Sequence, residues 1–282
     1  MSTTPALGPL PQEGRLRSLA DFYVTTMRTA VQEQFQYRAA TYMYLVGMVA
    51  EPVIYLVVWS TIAEQSGGTV GGLTAGEFAA YYIVWTLVRT MNIVFTPYGW
   101  EWRIRNGQLS GQLLRPLHPI HYDLAEFAGG KIPWVVFYLP IAAVLTLVFH
   151  PTFDIRWQEV AVFSVAIWGA YLIRTFNQSA LGLITFWTTR VGALFQLYIV
   201  LELLLSGRLV PLTLFPPWVQ TVAWFLPFRW TFYFPIQTLV GDLSNAELLG
   251  GLAMQVFWTL VGIGVFSLVW RRAIKRYTAV GN

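Results

Sequence analysis

This chain of 282 residues lacks the P-loop motif that binds the phosphates of ATP. A P-loop requires a Gly-rich turn that ends in Gly-Lys-Ser or Gly-Lys-Thr. The chain contains two lysines, Lys131 and Lys275, and they are followed by Ile132 and Arg276. The sequence therefore has no Walker-type ATP site.

Metal, thiol and serine chemistry are also poorly supported. The chain has no cysteine and no Gly-x-Ser-x-Gly motif, which excludes a Cys-ligated metal, a thiol nucleophile and a serine-hydrolase elbow. His118 and His121 are spaced three residues apart, but the nearby Asp123 is a poor third ligand. We expect no metal site, no bound cofactor and no catalytic residue in this chain, and its histidines are interpreted as loop or interfacial residues.

Four ionisable residues lie inside long apolar stretches: Glu51, Arg89, Arg174 and Glu202. A charge at membrane depth costs several kcal/mol unless it is paired or hydrated, so each is a candidate for a structural ion pair or for a translocation path. Glu51 and Arg89 lie about nine and seven residues from the same side of consecutive antiparallel stretches. At 1.5 Å per residue their depths differ by about 3 Å, so a Glu51–Arg89 pair is feasible.

The composition indicates an all-α integral membrane protein. The chain is 56% hydrophobic and 11% charged, whereas a soluble domain carries about 25% charge. A bilayer core of about 30 Å needs roughly 20 apolar helical residues. Six such segments are predicted: Tyr42–Ile62, Phe78–Thr96, Ile132–Phe149, Val160–Ile184, Val191–Leu205 and Leu248–Trp270.

The placement of Lys and Arg predicts the orientation. Of the 18 basic residues, 13 fall in the N-terminal region, in the loops after predicted spans two and four, or after span six, and only Arg156, Arg208 and Arg229 fall on the other side. Because cytoplasmic loops carry the excess of Lys and Arg, both termini are predicted to be cytoplasmic in a multi-pass protein of the cell membrane. These basic residues alternate with apolar blocks, so the net charge of +4 does not indicate a nucleic-acid partner.

The N-terminal region is predicted to form an amphipathic helix. Leu16, Tyr23, Met27, Val31 and Phe35 recur at helical spacing, while charged residues occupy another face. The helix suits either the membrane interface or a cytoplasmic partner protein. The chain is interpreted as one domain with a flexible stretch over 1–14, this helix over 15–40, the six-span bundle over 41–270 and a basic tail over 271–282.

The predicted cytoplasmic loop between spans two and three contains a possible docking element. Residues 108–114 are predicted to form two helical turns that end before Pro116. Leu109, Leu113 and Leu114 would then face one way and could dock into a partner protein. The alternative is an ordinary interfacial loop.

The segment after predicted span five is apolar and aromatic, but prolines interrupt it every few residues. It includes Gly207, Pro211, Pro216 and Pro217, and it continues to Arg229 and beyond. This pattern predicts short re-entrant helices beginning after Pro217 and around Arg229, rather than one straight span. The alternative makes this segment a sixth span and the last apolar helix a seventh, which would place Arg271 to Arg276 outside and conflicts with the charge asymmetry.

Two motifs resemble those of ABC-2 type transporter permeases: Gln-Leu-x-x-x-Leu-Leu-Arg-Pro, which begins at Gln108, and Leu-Leu-Ser-Gly-x-x-x-Pro-Leu-x-x-x-Pro-Pro-Trp, which begins at Leu204. The resemblance covers essentially the whole chain and is strongest to a subgroup of multidrug or antibiotic exporters. It implies export powered by separate cytoplasmic ABC ATPase subunits, with ATP and Mg²⁺ on those subunits. It also implies a dimer with a second permease copy or paralogue.

The resemblance implies roles for two sets of residues. The ATPase-coupling set is Arg103, Arg105, Gly107, Leu109, Leu113, Leu114, Arg115 and Pro116. The outer-gate set is Gly207, Pro211 and Pro216. An amphipathic, lipid-like or drug-like cargo is expected. The alternative function is a membrane-embedded enzyme acting on a lipid, such as an acyl or glycosyl transferase, for which His118, His121 and Asp123 are the candidate cluster.

Overall fold

The computed structural model describes residues 15–36, 38–188 and 190–277, and these are mostly helical. Its α-helices are α1 (Arg15–Gln36), α2 (Arg38–Gln65), α3 (Ala75–Asn92), α4 (Thr96–Arg105), α5 (Leu109–Leu113), α6 (Ile120–Phe149), α7 (Trp157–Gly182), α8 (Gly192–Leu205), α9 (Pro217–Trp224), α10 (Tyr233–Val240) and α11 (Asn245–Ala273). Short 3₁₀ helices cover Leu183–Phe186, Leu212–Leu214, Phe228–Trp230 and Ile274–Arg276. The fold is thus that of an all-α integral membrane protein.

A small hairpin connects α2 to α3. Strands β1 (Thr69–Val70) and β2 (Leu73–Thr74) pair antiparallel around Gly71 and Gly72. Both glycines have positive φ, 57° and 85°, as a two-residue hairpin turn requires. A capping box between Thr74 and Glu77 then starts α3, with the Glu77 amide donating to Thr74 Oγ1 at 3.3 Å.

Within the described residues, five helical segments are long and apolar enough to cross a membrane: Leu45–Gln65, Ala75–Arg105, Ile120–Phe149, Trp157–Phe186 and Asn245–Arg276. Large apolar side chains on α2 and α11 are exposed, among them Val46, Ile54, Val256 and Leu260. An exposed apolar surface of this kind suits contact with lipid tails rather than with water.

The predicted fifth span, Val191–Leu205, is present as α8 (Gly192–Leu205), but this helix is short for a membrane span. Helix α8 has 14 residues, which is about 21 Å at 1.5 Å per residue and less than the hydrocarbon thickness. Its apolar run ends at Ser206 and Gly207, where the chain leaves helical geometry. The start of the segment that follows is hydrogen-bonded to α3 and α10, through Gly207, Leu209 and Ser206, whereas α9 packs against α8.

Two predicted boundaries were wrong. Helix α6 begins at Ile120, so Lys131 is a buried helical residue and does not belong to a cytoplasmic loop. Gly129 permits close packing of this part of α6 on α1, since a Cβ at Gly129 would lie 2.5 Å from Met27 Cα. Likewise, the region after Thr96 is not a loop, because α4 continues the second span to Arg105.

Helix α3 lies at the centre of the molecule. It packs against α2, α6, α7 and α10, and its residues from Phe78 to Trp85 are almost all buried. The amphipathic helix predicted near the N-terminus is present as α1, and it packs along α6. This arrangement places α3 between the hairpin side of the molecule and the α4–α5 segment, and the polar groups described below surround it.

Candidate functional site

Glu51 and Arg89, whose depths make a pair feasible, form an ion pair. Arg89 Nη2 lies 2.7 Å from Glu51 Oε2, and the two side chains remain 20% and 33% exposed, respectively. The Arg89 guanidinium also lies 5.6 Å from the centroid of the Trp85 ring. The pair therefore connects α2 to α3 while keeping part of its charged surface accessible.

A second and more deeply buried ion pair connects α7 to α8. Arg174 donates from Nε and Nη2 to the two carboxylate oxygens of Glu202, at 2.7 and 2.8 Å. The side chains of Arg174 and Glu202 are 6% and 0% exposed. This bidentate geometry uses both oxygens of the carboxylate, which is the arrangement in which a buried pair can offset its desolvation cost.

Neighbouring polar groups complete this buried network. Arg174 Nη1 donates to the Asn92 carbonyl, and the Asn92 amide nitrogen donates to the Thr231 carbonyl at 2.7 Å. The side-chain nitrogen of Gln178 donates to the Val94 carbonyl at 2.9 Å. The side-chain oxygen of Gln178 accepts a hydrogen bond from Arg174 Nη2 at 3.2 Å. The network thereby ties α7 and α8 to the end of α3 and to the segment before α10.

Arg208 extends the network toward the surface. Its Nη1 lies 3.8 Å from Glu202 Oε2, and its side chain is 21% exposed. One carboxylate, Glu202, therefore faces two guanidiniums, and the local balance of charge is positive. A net positive, partly accessible group within an apolar bundle can attract an anionic part of a ligand.

The three predicted outer-gate residues occupy different positions. Gly207 is buried with a φ of 79°, and its carbonyl accepts from Tyr81 Oη at 2.6 Å. Pro211 is buried and precedes the Leu212–Leu214 turn, whereas Pro216 is exposed and precedes α9. The short helices predicted after Pro217 and around Arg229 are present as α9 and the Phe228–Trp230 turn.

Tyrosines of α3 hold this segment in place. Besides the bond from Tyr81, Tyr82 Oη donates to the Leu209 carbonyl at 3.1 Å, and the Tyr233 amide donates to the Ser206 carbonyl at 2.9 Å. A movement of α3 would therefore be passed directly to the segment that contains Gly207.

The expectation that three leucines of the loop face one partner is wrong. Leu109 is fully buried in the cluster formed by Trp100, Ile104 and their neighbours, and Leu113 packs against the same cluster. Leu114 alone points outward, with 89% of its surface exposed. The helical piece α5 is only five residues long, and its orientation is fixed by burial of Leu109 rather than by its amphipathic pattern.

The charged residues of the coupling set also divide into two groups. Arg103 is buried and donates from Nη2 to Asp123 Oδ2 at 2.8 Å, which fixes α4 to α6. Arg105 is exposed and pairs with Glu101 of its own helix. Arg115 is exposed and lies 3.1 Å from Tyr122 Oη, next to the exposed Pro116. Gly107 has a φ of 68° and forms the turn between α4 and α5.

The three residues of the candidate catalytic cluster, His118, His121 and Asp123, each contact a different partner. Asp123 is turned toward Arg103, while His121 Nδ1 lies 2.8 Å from Tyr23 Oη of α1. Burial, with a smaller contribution from His121, lowers the pKa of His118 to about 4. His118 is therefore neutral at pH 7, and its Nδ1 accepts from the Ile120 amide at 3.2 Å, at the start of α6.

The sequence analysis missed the pairing of Arg174 with Glu202, although the signal for it was present. The two residues lie ten and eleven residues from the same side of consecutive predicted spans, so the depth comparison that paired Glu51 with Arg89 applies to them as well. Asn92, Gln178 and Arg208 join the same network and carried no distinguishing sequence pattern.

The fold defines a helical membrane subunit with an exposed segment at the α4–α5–α6 connection and a buried polar network beside the junction of α3 and α4. A family profile described as ABC-2 family transporter protein matches residues 49–281, which is most of the chain. The chain therefore belongs to the ABC-2 transporter family and is a membrane permease component of an ABC transporter. Members of this family are transporter subunits and are not themselves enzymes. No curated protein sequence gives a significant match.

Proposed function

We propose that this chain is the membrane-spanning half of an exporter powered by separate cytoplasmic ATPase subunits. In the working transporter, two permease chains, identical or paralogous, flank a path for an amphipathic, lipid-like or drug-like cargo, in line with the multidrug resemblance. Both termini face the cytoplasm of the cell, and ATP and Mg²⁺ are bound by the partner. The observation that carries the proposal is the exposed surface of the α4–α5–α6 connection.

That surface combines apolar and basic groups on a rigid base. Leu114 is 89% exposed and Trp102 is 58% exposed, and the exposed Arg105 and Arg115 lie in the same segment. Exposed large apolar residues mixed with arginine are typical of protein–protein contact sites. The partner accounts for the exposure of Leu114, because a leucine facing water gains by burial in a groove.

The base beneath this surface can transmit force. Leu109 is buried under α4, the Arg103–Asp123 pair joins α4 to α6, and Tyr277 Oη donates to the Gly107 carbonyl at 3.3 Å. Helix α4 is separated from α3 only by residues 93–95. A displacement of the docked segment would thus reach α3 and, through its tyrosines, the Gly207 segment.

The partly exposed Glu51–Arg89 pair and Arg208 are proposed to face the cargo path. They retain accessible charge within an otherwise apolar bundle, while Arg174 and Glu202 are buried behind them. In this arrangement Arg174 and Glu202 position Arg208, and Glu51, Arg89 and Arg208 contact polar parts of the cargo.

We expect Leu114→Asp to weaken binding of the ATPase subunit by roughly ten- to a hundredfold, because burial of a leucine contributes about 1.5–3 kcal/mol. The measurement is retention of the ATPase by the tagged permease from solubilised membranes, with permease abundance recorded in parallel. Leu16→Asp is the matched control, since Leu16 is also an exposed leucine, at 84%, but lies on α1.

Equal retention by the Leu114→Asp and wild-type permeases would show that the coupling surface is misplaced. Equal losses in both variants would indicate a general effect of added charge. Leu109→Asp is unsuitable for this test, because a buried charge at Leu109 would reduce the amount of folded permease itself.

A further inference from the structure

Arg229 is a cation whose charge is not neutralised within the described residues. Its Cζ lies 4.9 Å from the centroid of the Tyr233 ring and 5.7 Å from that of the Trp230 ring. No described carboxylate lies within ion-pair distance of the guanidinium, and its buried Nε has no hydrogen-bond partner there. Because buried donors without acceptors are destabilising, an anionic oxygen that meets this guanidinium would stabilise the fold.

Arg229 and the two rings beside it line a cavity of about 430 Å³. Trp224 of α9 and Gly250 of α11 also belong to the lining. Trp224 is 43% exposed and Gly250 is exposed, so the cavity opens to the outside between α9 and α11. The guanidinium therefore lies in the wall of a space that a ligand can enter.

A carboxylate lines the same cavity. Glu247 accepts hydrogen bonds at Oε2 from the amide and the hydroxyl of Ser244, at 2.9 and 2.7 Å. Glu247 and Arg229 share the cavity but form no ion pair with each other, so their charges are held apart. Two opposite charges held apart in this way favour a ligand that carries both an anionic and a cationic group, rather than a simple anion.

The cavity extends from headgroup depth into the hydrocarbon. Helix α11 has 29 residues, which is about 43 Å and matches the roughly 40–45 Å of a bilayer with its headgroups. Glu247 is the third residue of α11, and Met254, another lining residue, is the tenth. The lining therefore runs from about 3 to about 14 Å along the helix, a depth at which Trp and Tyr rings are typical.

We propose that this cavity binds phosphatidylethanolamine from the membrane. The lipid phosphate accepts hydrogen bonds from the Arg229 guanidinium, and the lipid ammonium donates to the Glu247 carboxylate. Both contacts are charge-assisted hydrogen bonds, which are the strong ones. The acyl chains leave through the opening between α9 and α11 and lie on the apolar surface of α11, where Leu249 is 66% exposed.

The test compares three lipids with the same acyl chains: dioleoyl phosphatidylethanolamine, dioleoyl phosphatidylglycerol, which lacks the ammonium, and dioleoylglycerol, which has no phosphate. The purified full-length chain is titrated with each lipid in detergent, and binding is measured by native mass spectrometry. We expect wild-type protein to bind the ethanolamine lipid roughly tenfold or more tightly than dioleoylglycerol, with phosphatidylglycerol in between. Equal binding of all three lipids would overturn the proposal, as would displacement of the ethanolamine lipid by excess inorganic phosphate, which would indicate a site for the free ion.

Two variants test the charged contacts separately. Arg229→Met should weaken binding of the ethanolamine lipid roughly tenfold or more, whereas Arg190→Met, the same change at an exposed arginine outside the cavity, should bind as wild type does. Glu247→Gln should remove the preference over phosphatidylglycerol, and it keeps the helix cap because glutamine also serves in a capping box. Unchanged binding by Arg229→Met, or an unchanged preference in Glu247→Gln, would contradict the proposed contacts.

A further variant tests the cavity without changing its charge. Gly250→Trp places an indole at the opening, where an added Cβ would meet nothing within 4 Å, and it should weaken binding of the ethanolamine lipid. Gly264→Trp is the matched control, because Gly264 is an equally open glycine of α11 outside the lining. If Arg229→Met does not fold, equal binding by Gly250→Trp and Gly264→Trp overturns the proposal instead. The measurement needs neither ATPase nor transport, so its failure would leave the proposed exporter function untouched.

Discussion

Replacing Glu202 by glutamine is expected to lower the free energy of unfolding by about 3–5 kcal/mol, since it leaves a buried guanidinium without its counter-ion. Glu202 is 0% exposed and accepts two short hydrogen bonds from Arg174. Arg208 depends on the same carboxylate. The measurement is unfolding of the purified chain in detergent, followed by tryptophan fluorescence against denaturant concentration.

The pairing itself is tested by removing both partners. The variant that carries both Arg174→Met and Glu202→Leu has lost both charges of the pair. Its loss in free energy of unfolding should therefore be smaller than the sum of the losses in the two single variants. Arg105→Gln is the matched control: the Arg105–Glu101 pair is an exposed i,i+4 pair, and its loss should cost no more than about 0.5 kcal/mol. Strictly additive losses at Arg174 and Glu202 would contradict the coupling.

Replacing Gly207 by alanine is expected to lower the free energy of unfolding by about 2–5 kcal/mol. The positive φ accounts for roughly 1–2 kcal/mol of this loss, and overpacking by the added methyl group accounts for roughly 1–3 kcal/mol. Gly207 has a φ of 79°, and an added Cβ would lie 2.9 Å from Tyr81 Oη and 3.2 Å from Tyr233 Cβ. The same unfolding measurement applies, combined with a transport assay if the cargo is known.

Gly72→Ala separates the two contributions. Gly72 has a φ of 85°, and a Cβ there would meet nothing within 4 Å, so only the backbone penalty of roughly 1–2 kcal/mol applies. If Gly207→Ala is no more destabilising than Gly72→Ala, the packing of the outer segment against α3 and α10 contributes little, and Gly207 has no special role there.

The sequence predicted best those features that depend on local composition. The apolar runs predicted the long helices, because a chain in lipid must satisfy its backbone groups within each helix. The Glu51–Arg89 pair followed from depth alone, since consecutive antiparallel helices fix the relative height of their residues. The short helices after Pro217 followed from proline chemistry, which forbids one straight span.

The features that sequence reasoning missed depend on tertiary contacts. The inward orientation of Leu109 arises from the packing of α5 on Trp100 and Ile104, and five residues carry too weak a pattern to show it. Lys131 lies inside α6 because that helix begins at Ile120, and α1 packs along the same part of α6 from a position about 100 residues earlier in the chain. Arg208 joins Glu202 because the chain turns back at Gly207, which no periodicity records.

The central claim is that energy enters this permease from a separate ATPase. The most direct measurement is affinity purification of the tagged chain from its native membranes in mild detergent, followed by mass spectrometry of the intact complex and an ATP hydrolysis assay. The account predicts a complex that contains two permease chains and P-loop ATPase subunits, and that hydrolyses ATP. Recovery of the chain without any P-loop protein, together with group transfer to a lipid by the purified chain, would contradict it.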